Sequence, residues 1–193
     1  VVVEAPSLAQ LNYHWRNDDG NETGATSATG GVENTPVLNV FQGTTKRLRF
    51  AVVNDGALTE SDIETRLEYG TKVTTCENVG VWQRVDAGVA FDMATSSGLS
   101  DGADTTDIAE GIGGVSNNGL GFLSPNSGQE ETTDQIAAVS LVTTDSLEVE
   151  YAIEVTEVSA FDATYCFRLT DAGVPFPTYT NYPELNVQDR QDF

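Results

Sequence analysis

The chain is poor in the residues on which nucleic-acid-binding sites and many catalytic sites depend. Its 193 residues include 9 Lys and Arg against 30 Asp and Glu, a formal net charge of −21. Because each phosphate contact needs a Lys or Arg, this balance excludes a nucleic-acid partner and disfavours docking on an anionic membrane surface.

The single histidine, His14, is the one candidate base for a Ser-His or Cys-His group. It alternates with polar neighbours, so we expect it to be solvated or at a subunit contact. We expect no enzyme and no resident cofactor.

Long apolar runs are also missing from the sequence. No stretch of about 18 apolar residues occurs, so we expect no transmembrane segment. No charged-then-apolar leader is present, and the chain starts at Val1 without a Met. We expect an extracellular or cell-surface protein that is secreted and whose signal peptide is already removed.

What the sequence does contain is period-two alternation, which is typical of half-buried strands. Leu147, Val149 and Tyr151 alternate with glutamates, and similar segments recur along the chain. Residues 92–135 instead are rich in Gly, Ser and Asp. The pattern predicts one all-β domain over residues 1–193, an antiparallel β-sandwich of immunoglobulin-like or jelly-roll type with a long loop-rich insertion. Asp145-Ser146 is predicted to be the tight link of a hairpin.

The two cysteines, Cys76 and Cys166, lie in or beside predicted strands and far apart in sequence. In an extracellular chain they favour a disulfide, which would close a loop of about 90 residues; two free buried thiols are the alternative. With Trp82 and Tyr165 nearby, the arrangement resembles immunoglobulin-like domains, where a Trp packs on an inter-sheet disulfide. In antibody domains the Tyr precedes the second Cys by two residues. Here it precedes it by one, so the Tyr165 ring should face the opposite side.

Two further strings, residues 14–20 (HWRNDDG) and residues 163–173 (ATYCFRLTDAG), carry a second resemblance. They are similar to modules of uncharacterised bacterial secreted and cell-surface proteins. This resemblance implies a surface role and no particular reaction.

Two acidic loops offer oxygen ligands of the kind that Ca²⁺ takes. The candidate metal ligands are Asp18, Asp19, Asp101, Asp104 and Asp107. Neither loop matches the EF-hand pattern, and turns favoured by Asx side chains are the alternative interpretation. Residues 21–23 (NET) form an N-glycosylation sequon, which makes Asn21 a candidate glycosylation site.

The N-terminal residues 1–11 are a candidate donor strand for polymerisation. The apolar residues expected to carry it are Val1, Val2, Val3, Leu8 and Leu11. Inserted into the open sheet edge of a second copy, such a segment gains main-chain hydrogen bonds. Pairing with its own sheet is the alternative.

Two functions from different classes follow. The first is a structural subunit of an extracellular filament, a pilus-like homopolymer built by strand exchange. The alternative is an adhesin-like β-sandwich that binds carbohydrate or another ligand, including surface glycans, in a calcium-dependent or calcium-independent manner. The second function predicts an exposed aromatic platform, for which Phe176, Tyr179 and Tyr182 are the candidates; core packing or an interface is the alternative role of these residues.

Overall fold

The computed structural model describes residues 5–85, 90–96 and 98–189. Its regular elements are β-strands and short 3₁₀ turns, and no α-helix occurs among these residues. The strands in chain order are β1 (Leu8–Asn17), β2 (Val37–Phe41), β3 (Thr45–Asn54), β4 (Glu60–Ile63), β5 (Thr65–Thr71), β6 (Gln83–Arg84), β7 (Phe91–Met93), β8 (Gly121–Phe122), β9 (Gln129–Glu130), β10 (Val139–Leu141), β11 (Asp145–Val155), β12 (Thr164–Asp171), β13 (Val174–Pro175), β14 (Thr178–Tyr179) and β15 (Glu184–Gln188). Within the described part of the chain, no helix is long and apolar enough to cross a membrane.

The strands form two main sheets. Sheet A has the order β14-β1-β3-β11-β7, with β8 and β9 also paired to β11, and sheet B has the order β2-β15-β12-β5-β6, with β13 paired to β12. The long ladders β1–β3, β3–β11 and β5–β12 are antiparallel. Short ladders of β14 with β1 and of β2 with β15 are parallel. The predicted all-β, sandwich-like fold is confirmed, but its sheets are mixed rather than purely antiparallel.

The main core lies between the two sheets and follows the alternation in the sequence. Trp15 and Tyr151 of sheet A and Phe167 and Leu169 of sheet B are buried in one apolar cluster. The rings of Trp15 and Phe167 meet edge to face, with centroids 5.3 Å apart. Burying each such side chain contributes about 1.5–3 kcal/mol, so this interface dominates the stability of the fold.

The predicted insertion, residues 92–135, lies over the outer face of sheet A. Its strands β8 and β9 pair with the edge of β11, while Val115 packs on the outer face in a cluster with Leu11 and Ala51. The insertion therefore covers a sheet face that would otherwise be exposed to water.

The predicted hairpin at Asp145-Ser146 is wrong. Both residues are ladder residues at the start of β11, where they pair with Gly121 and Phe122 of β8. The preceding strand β10 pairs instead with β4 in a separate two-stranded sheet. Sequence spacing suggested a turn, but the insertion supplies the partner strand.

The candidate arm at residues 1–11 overlaps the fold itself. Leu8 is the first residue of β1, pairs with Asn54 and is buried. Leu11 is buried on the outer face of sheet A in a small cluster with Val115 of the insertion. Residues 8–10 are therefore already paired within their own chain, and Leu11 lies in the bulge that follows them. Val1, Val2 and Val3 lie outside the described residues.

Candidate binding site

The outer face of sheet A carries a buried ion network. Arg16 Nη1 donates to both carboxylate oxygens of Glu150, at 2.8 and 2.6 Å. Arg49 donates to Glu148 at 2.8 Å, to Glu150 at 2.8 Å and to Glu22 at 2.6 Å. Buried charges persist only when they are paired and hydrogen-bonded, and here each arginine has such partners. The network fastens the loops to the outer face of sheet A, where its arginine side chains are fully buried.

The loop after β1 holds the first pair of predicted metal ligands. Asp18 Oδ1 accepts a hydrogen bond from Arg47 Nε at 2.8 Å. Asp19 Oδ1 accepts from the backbone N–H of Thr26 at 2.8 Å. These contacts assign both side chains to loop structure. Asn21, the candidate glycosylation site, is exposed in the same loop.

The second acidic loop is organised in the same way. Asp101 Oδ1 accepts hydrogen bonds from the backbone N–H groups of residues 131 and 132. Asp104 Oδ1 accepts hydrogen bonds from the backbone N–H groups of residues 126 and 127. Asp107 is exposed. Across the described ranges, no group of three or more His, Cys, Asp or Glu side chains has an arrangement that could hold a metal ion. The structure thus does not bring the predicted Ca²⁺ ligands together.

Two buried carboxyl groups in this region have raised pKa values. Burial raises the pKa of Glu148 to about 7, against the opposing effect of the Arg49 guanidinium. Burial also raises the pKa of Glu130 to about 7, and the neighbouring Asp101 adds to the shift. In both cases burial favours the protonated form of the carboxyl group.

His14 is not solvated as the alternation suggested, because the insertion covers it completely. Its Nδ1 lies 2.8 Å from the carbonyl oxygen of Gly114, and its Nε2 lies 2.7 Å from Ser27 Oγ. A carbonyl can only accept, so Nδ1 carries the proton and Nε2 accepts from the hydroxyl. Burial lowers the pKa of His14. The side chain is a neutral structural link between strand and loops.

The disulfide between Cys76 and Cys166 is confirmed, with the two Cα atoms 5.6 Å apart. Trp82 packs against it, as expected. The bond does not join the two sheets, however. The alternation of β12 turns Tyr165 and Phe167 into the main core and Cys166 to the outer face of sheet B, where it bonds to the 3₁₀ turn Cys76–Asn78. The immunoglobulin-like inter-sheet position implied by the resemblance is therefore wrong.

The three residues of the predicted aromatic platform come together, but as a column. Phe176, Tyr179, Tyr182 and Trp82 stack in that order, with successive ring centroids 6.0, 5.1 and 6.0 Å apart. The guanidinium of Arg168 lies over the Trp82 ring, 4.4 Å from its centroid. Because the rings stack on one another, the inner rings do not offer open faces to a sugar. The column forms a wall and not a platform.

A cavity of about 360 Å³ lies beside this column and the disulfide. Its walls come from β1, from the segment after β5 and from the segment before β15. They are lined by Tyr13, Asn34, Pro36, Lys72, Thr75, Cys76, Glu77, Thr180, Asn181, Tyr182 and Glu184. Small-molecule sites are typically about 300–1,000 Å³ with a few convergent polar groups, so the size and lining suit a small polar ligand.

Tyr13 distinguishes this cavity. The hydroxyls of four other tyrosines are hydrogen-bonded, those of Tyr69, Tyr151, Tyr165 and Tyr179. The Tyr13 side chain is buried, and within the described residues no hydrogen bond of its hydroxyl is found. The hydroxyl is not among the enclosed polar atoms that lack a partner, so it is accessible from the cavity that Tyr13 lines. Burial and the nearby Glu184 carboxylate raise its pKa, so the hydroxyl keeps its proton. Because Tyr13 lines the cavity, this hydroxyl can donate a hydrogen bond to an occupant.

The residues that line the cavity carry more negative than positive charge, with two glutamates and one lysine. Lys72 Nζ donates to both oxygens of Glu184, at 2.8 and 2.7 Å, so its charge is already paired. Glu77 adds a second carboxylate to the lining. The cavity is therefore slightly acidic in a strongly acidic chain and disfavours anionic ligands.

A second cavity, of about 490 Å³, lies between the ends of β2 and β15. It is lined by Gln42, Gly43, Glu157, Phe161 and Gln188. The Gln42 amide already donates to the carbonyls of Glu157 and Ser159, at 3.0 and 2.8 Å. The smaller cavity is therefore the better candidate site.

Tyr13 has no signal in the sequence beyond its place on the apolar face of a predicted strand. Its cavity partners lie about 60 and 170 residues further along the chain, so no local spacing connects them. Comparisons of this chain with protein-family models, with curated proteins and with solved structures found no match.

Proposed function

We propose that this chain is an extracellular binding module that holds a neutral saccharide unit in the Tyr13 cavity. The observation that carries the proposal is the hydroxyl of the buried Tyr13 side chain, which makes no hydrogen bond found among the described residues and borders a cavity of about 360 Å³.

The lining supports a polyhydroxylated ligand. Thr75 and Thr180 add hydroxyls, and Asn181 adds an amide, beside the Tyr13 donor and the Glu184 acceptor. Sugar hydroxyls both donate and accept, so they can satisfy such a mixed set. An anionic sugar would meet two carboxylates and a lysine that is already paired. We therefore assign the site to neutral rather than uronic or sulfated saccharides.

The extracellular placement is part of the proposal. A disulfide is typical of oxidising compartments, and the acidic excess keeps a surface protein soluble. Both features agree with a module displayed outside the cell.

The test is a glycan array that carries neutral and acidic oligosaccharides, followed by calorimetric titration of the ligands that bind. We expect binding to neutral glycans, weakened about tenfold by Tyr13→Phe, the equivalent of losing one hydrogen bond of about 1.4 kcal/mol. The melting temperature of Tyr13→Phe should stay at the wild-type value, because no described group bonds to that hydroxyl.

Tyr165→Phe is the matched control, since it removes a hydroxyl that accepts from the backbone N–H of Ala160 at 2.9 Å and does not line the cavity. It should lower stability by about 1 kcal/mol and leave binding unchanged. Retention of acidic glycans alone, or equal binding by Tyr13→Phe, contradicts the proposal.

The filament built by strand exchange stays a prediction. Its apolar residues before Ala5 lie outside the described part of the chain, and Leu8 and Leu11 are buried in their own sheet. The expectation that the chain is not an enzyme likewise stays a prediction.

A further inference from the structure

We infer that the Cys76–Cys166 disulfide is a redox switch for the Tyr13 cavity, so that the site is complete only in the oxidised chain. This inference rests on the proposed function and adds a condition under which the site operates.

The segment of residues 73–78 is exposed except for one side chain. Val73, Thr74, Thr75, Glu77 and Asn78 are exposed, and Cys76 alone is buried. The Asn78 amide bonds to Thr74 and Thr75 within the segment itself, at 3.1 and 3.2 Å.

The segment has few other attachments to the domain. Within the described residues, no side-chain hydrogen bond joins it to the sheet: Cys76 Sγ lies 3.7 Å from Glu184 Oε1 but carries no proton in the disulfide. Its other anchor is apolar, since Cys76 packs with the adjoining Val79 beside Cys166. Just before the segment, the N–H of Lys72 donates to the carbonyl of Thr164 at 2.9 Å. The covalent bond to β12 therefore holds the segment in place.

This segment is one wall of the cavity. Thr75, Cys76 and Glu77 line it on one side, facing Tyr13 and the residues 180–184 on the other. Without the disulfide, an exposed segment with no other buried side chain gains conformational freedom, and the wall loses its fixed position. The two main sheets keep their core, because the disulfide belongs to a separate apolar cluster on the outer face of sheet B.

The chemistry is thiol–disulfide exchange with a dithiol. A thiolate of the dithiol attacks one sulfur of the protein disulfide, which forms a mixed disulfide and releases the other cysteine as a thiolate. The second thiolate of the dithiol then attacks the dithiol sulfur of the mixed disulfide and releases the first cysteine. The protein bond takes two electrons and two protons and becomes two thiols, while the dithiol becomes a cyclic disulfide. Because Cys76 lines the cavity, the dithiol can approach through it, and a bound saccharide would obstruct that route.

The experiment measures saccharide binding by the wild-type chain before and after reduction with dithiothreitol, and by the double variant Cys76→Ser, Cys166→Ser. We expect reduction and the double variant each to weaken binding at least tenfold. We also expect a saturating neutral saccharide to slow reduction of the disulfide, since coupling between binding and reduction is reciprocal. Amide hydrogen exchange of the reduced chain should rise within residues 73–79 and remain slow in β1, β3 and β12.

The outcomes separate the two proposals. Equal binding by oxidised and reduced chains overturns the switch and leaves the binding function standing. Global unfolding on reduction, seen as fast exchange throughout both sheets, also overturns the switch, because the bond then holds the whole domain. Absence of saccharide binding by the oxidised wild-type chain overturns the proposed function and the switch together.

Discussion

Arg49 is the residue on which the buried network of sheet A depends most. Three carboxylates, those of Glu22, Glu148 and Glu150, share its guanidinium. In the sequence, the glutamates of strand β11 were apparent, and their alternation with apolar residues suggested that this face of the strand is solvated. The pattern could not reveal that a distant insertion would bury that face.

Replacing Arg49 with Met should destabilise the fold by about 3–5 kcal/mol, because it leaves buried carboxylates without their partner. Urea denaturation measures the change, and Glu157→Gln, at an exposed side chain, is the control that should stay within about 0.5 kcal/mol of wild type. A loss below 1 kcal/mol for Arg49→Met would show that the network is not buried as described.

Glu130 gives the fold a defined pH dependence. Its pKa rises from 4.5 to about 7 on folding, so the folded state binds a proton that the unfolded state releases. The stabilisation is fully present below pH 4.5 and is lost as the pH rises through 7. Glu130→Gln should flatten the decline in unfolding free energy between pH 5 and 8, measured by urea denaturation at each pH. An unchanged slope, equal to that of Glu157→Gln, would contradict the assignment.

Among the elements, the insertion of residues 92–135 departs furthest from what its composition suggested. It is not a free loop, because Asn126 organises its chain by side-chain contacts. Asn126 Oδ1 accepts from the N–H groups of Thr105 and Gly128, at 2.8 and 3.0 Å, and its amide donates to Thr105 Oγ1 and the Leu123 carbonyl, at 2.8 and 2.9 Å. Such a buried asparagine fixes a loop, although nothing in the sequence distinguishes it from its exposed neighbours.

Asn126→Ala should detach the insertion locally. It leaves two buried N–H groups unsatisfied and should lower stability by at least about 2 kcal/mol. Hydrogen exchange should accelerate in residues 103–128 more than in β1 and β3. Asn118→Gly is the control, because Asn118 is exposed and adopts a positive φ of 55° that glycine tolerates. Equal exchange in the two variants would contradict this role for Asn126.

At the scale of the whole molecule, period-two alternation was enough to predict an all-β sandwich, because facing strands must bury one side each. It could not predict which strands pair, so the hairpin at Asp145-Ser146 was wrong. The disulfide followed from the cysteine count and the expected compartment. Its position on the outer face of sheet B depended on a turn, Cys76–Asn78, that carries no sequence signal. The cavity could not be predicted from the sequence either, because the segments that form its walls are distant in sequence and meet only in the folded chain.

The disulfide should also stabilise the molecule as a whole. It joins residues 90 apart in sequence, and the chain-entropy model gives such a loop about 4–5 kcal/mol. The double variant Cys76→Ser, Cys166→Ser should therefore unfold at lower urea concentration, while its transition stays cooperative because the main core is intact. An unchanged midpoint would contradict this contribution.

The central claim is that the Tyr13 cavity is the binding site of the molecule, and a nuclear magnetic resonance titration tests it most directly. The ¹⁵N-labelled oxidised chain is titrated with the neutral oligosaccharides retained on the glycan array. We expect shifts of backbone signals from residues 13, 72–77 and 180–184, with none near Gln42 and Phe161 at the larger cavity. Shifts confined to the larger cavity, or no shift at any signal, would contradict the claim.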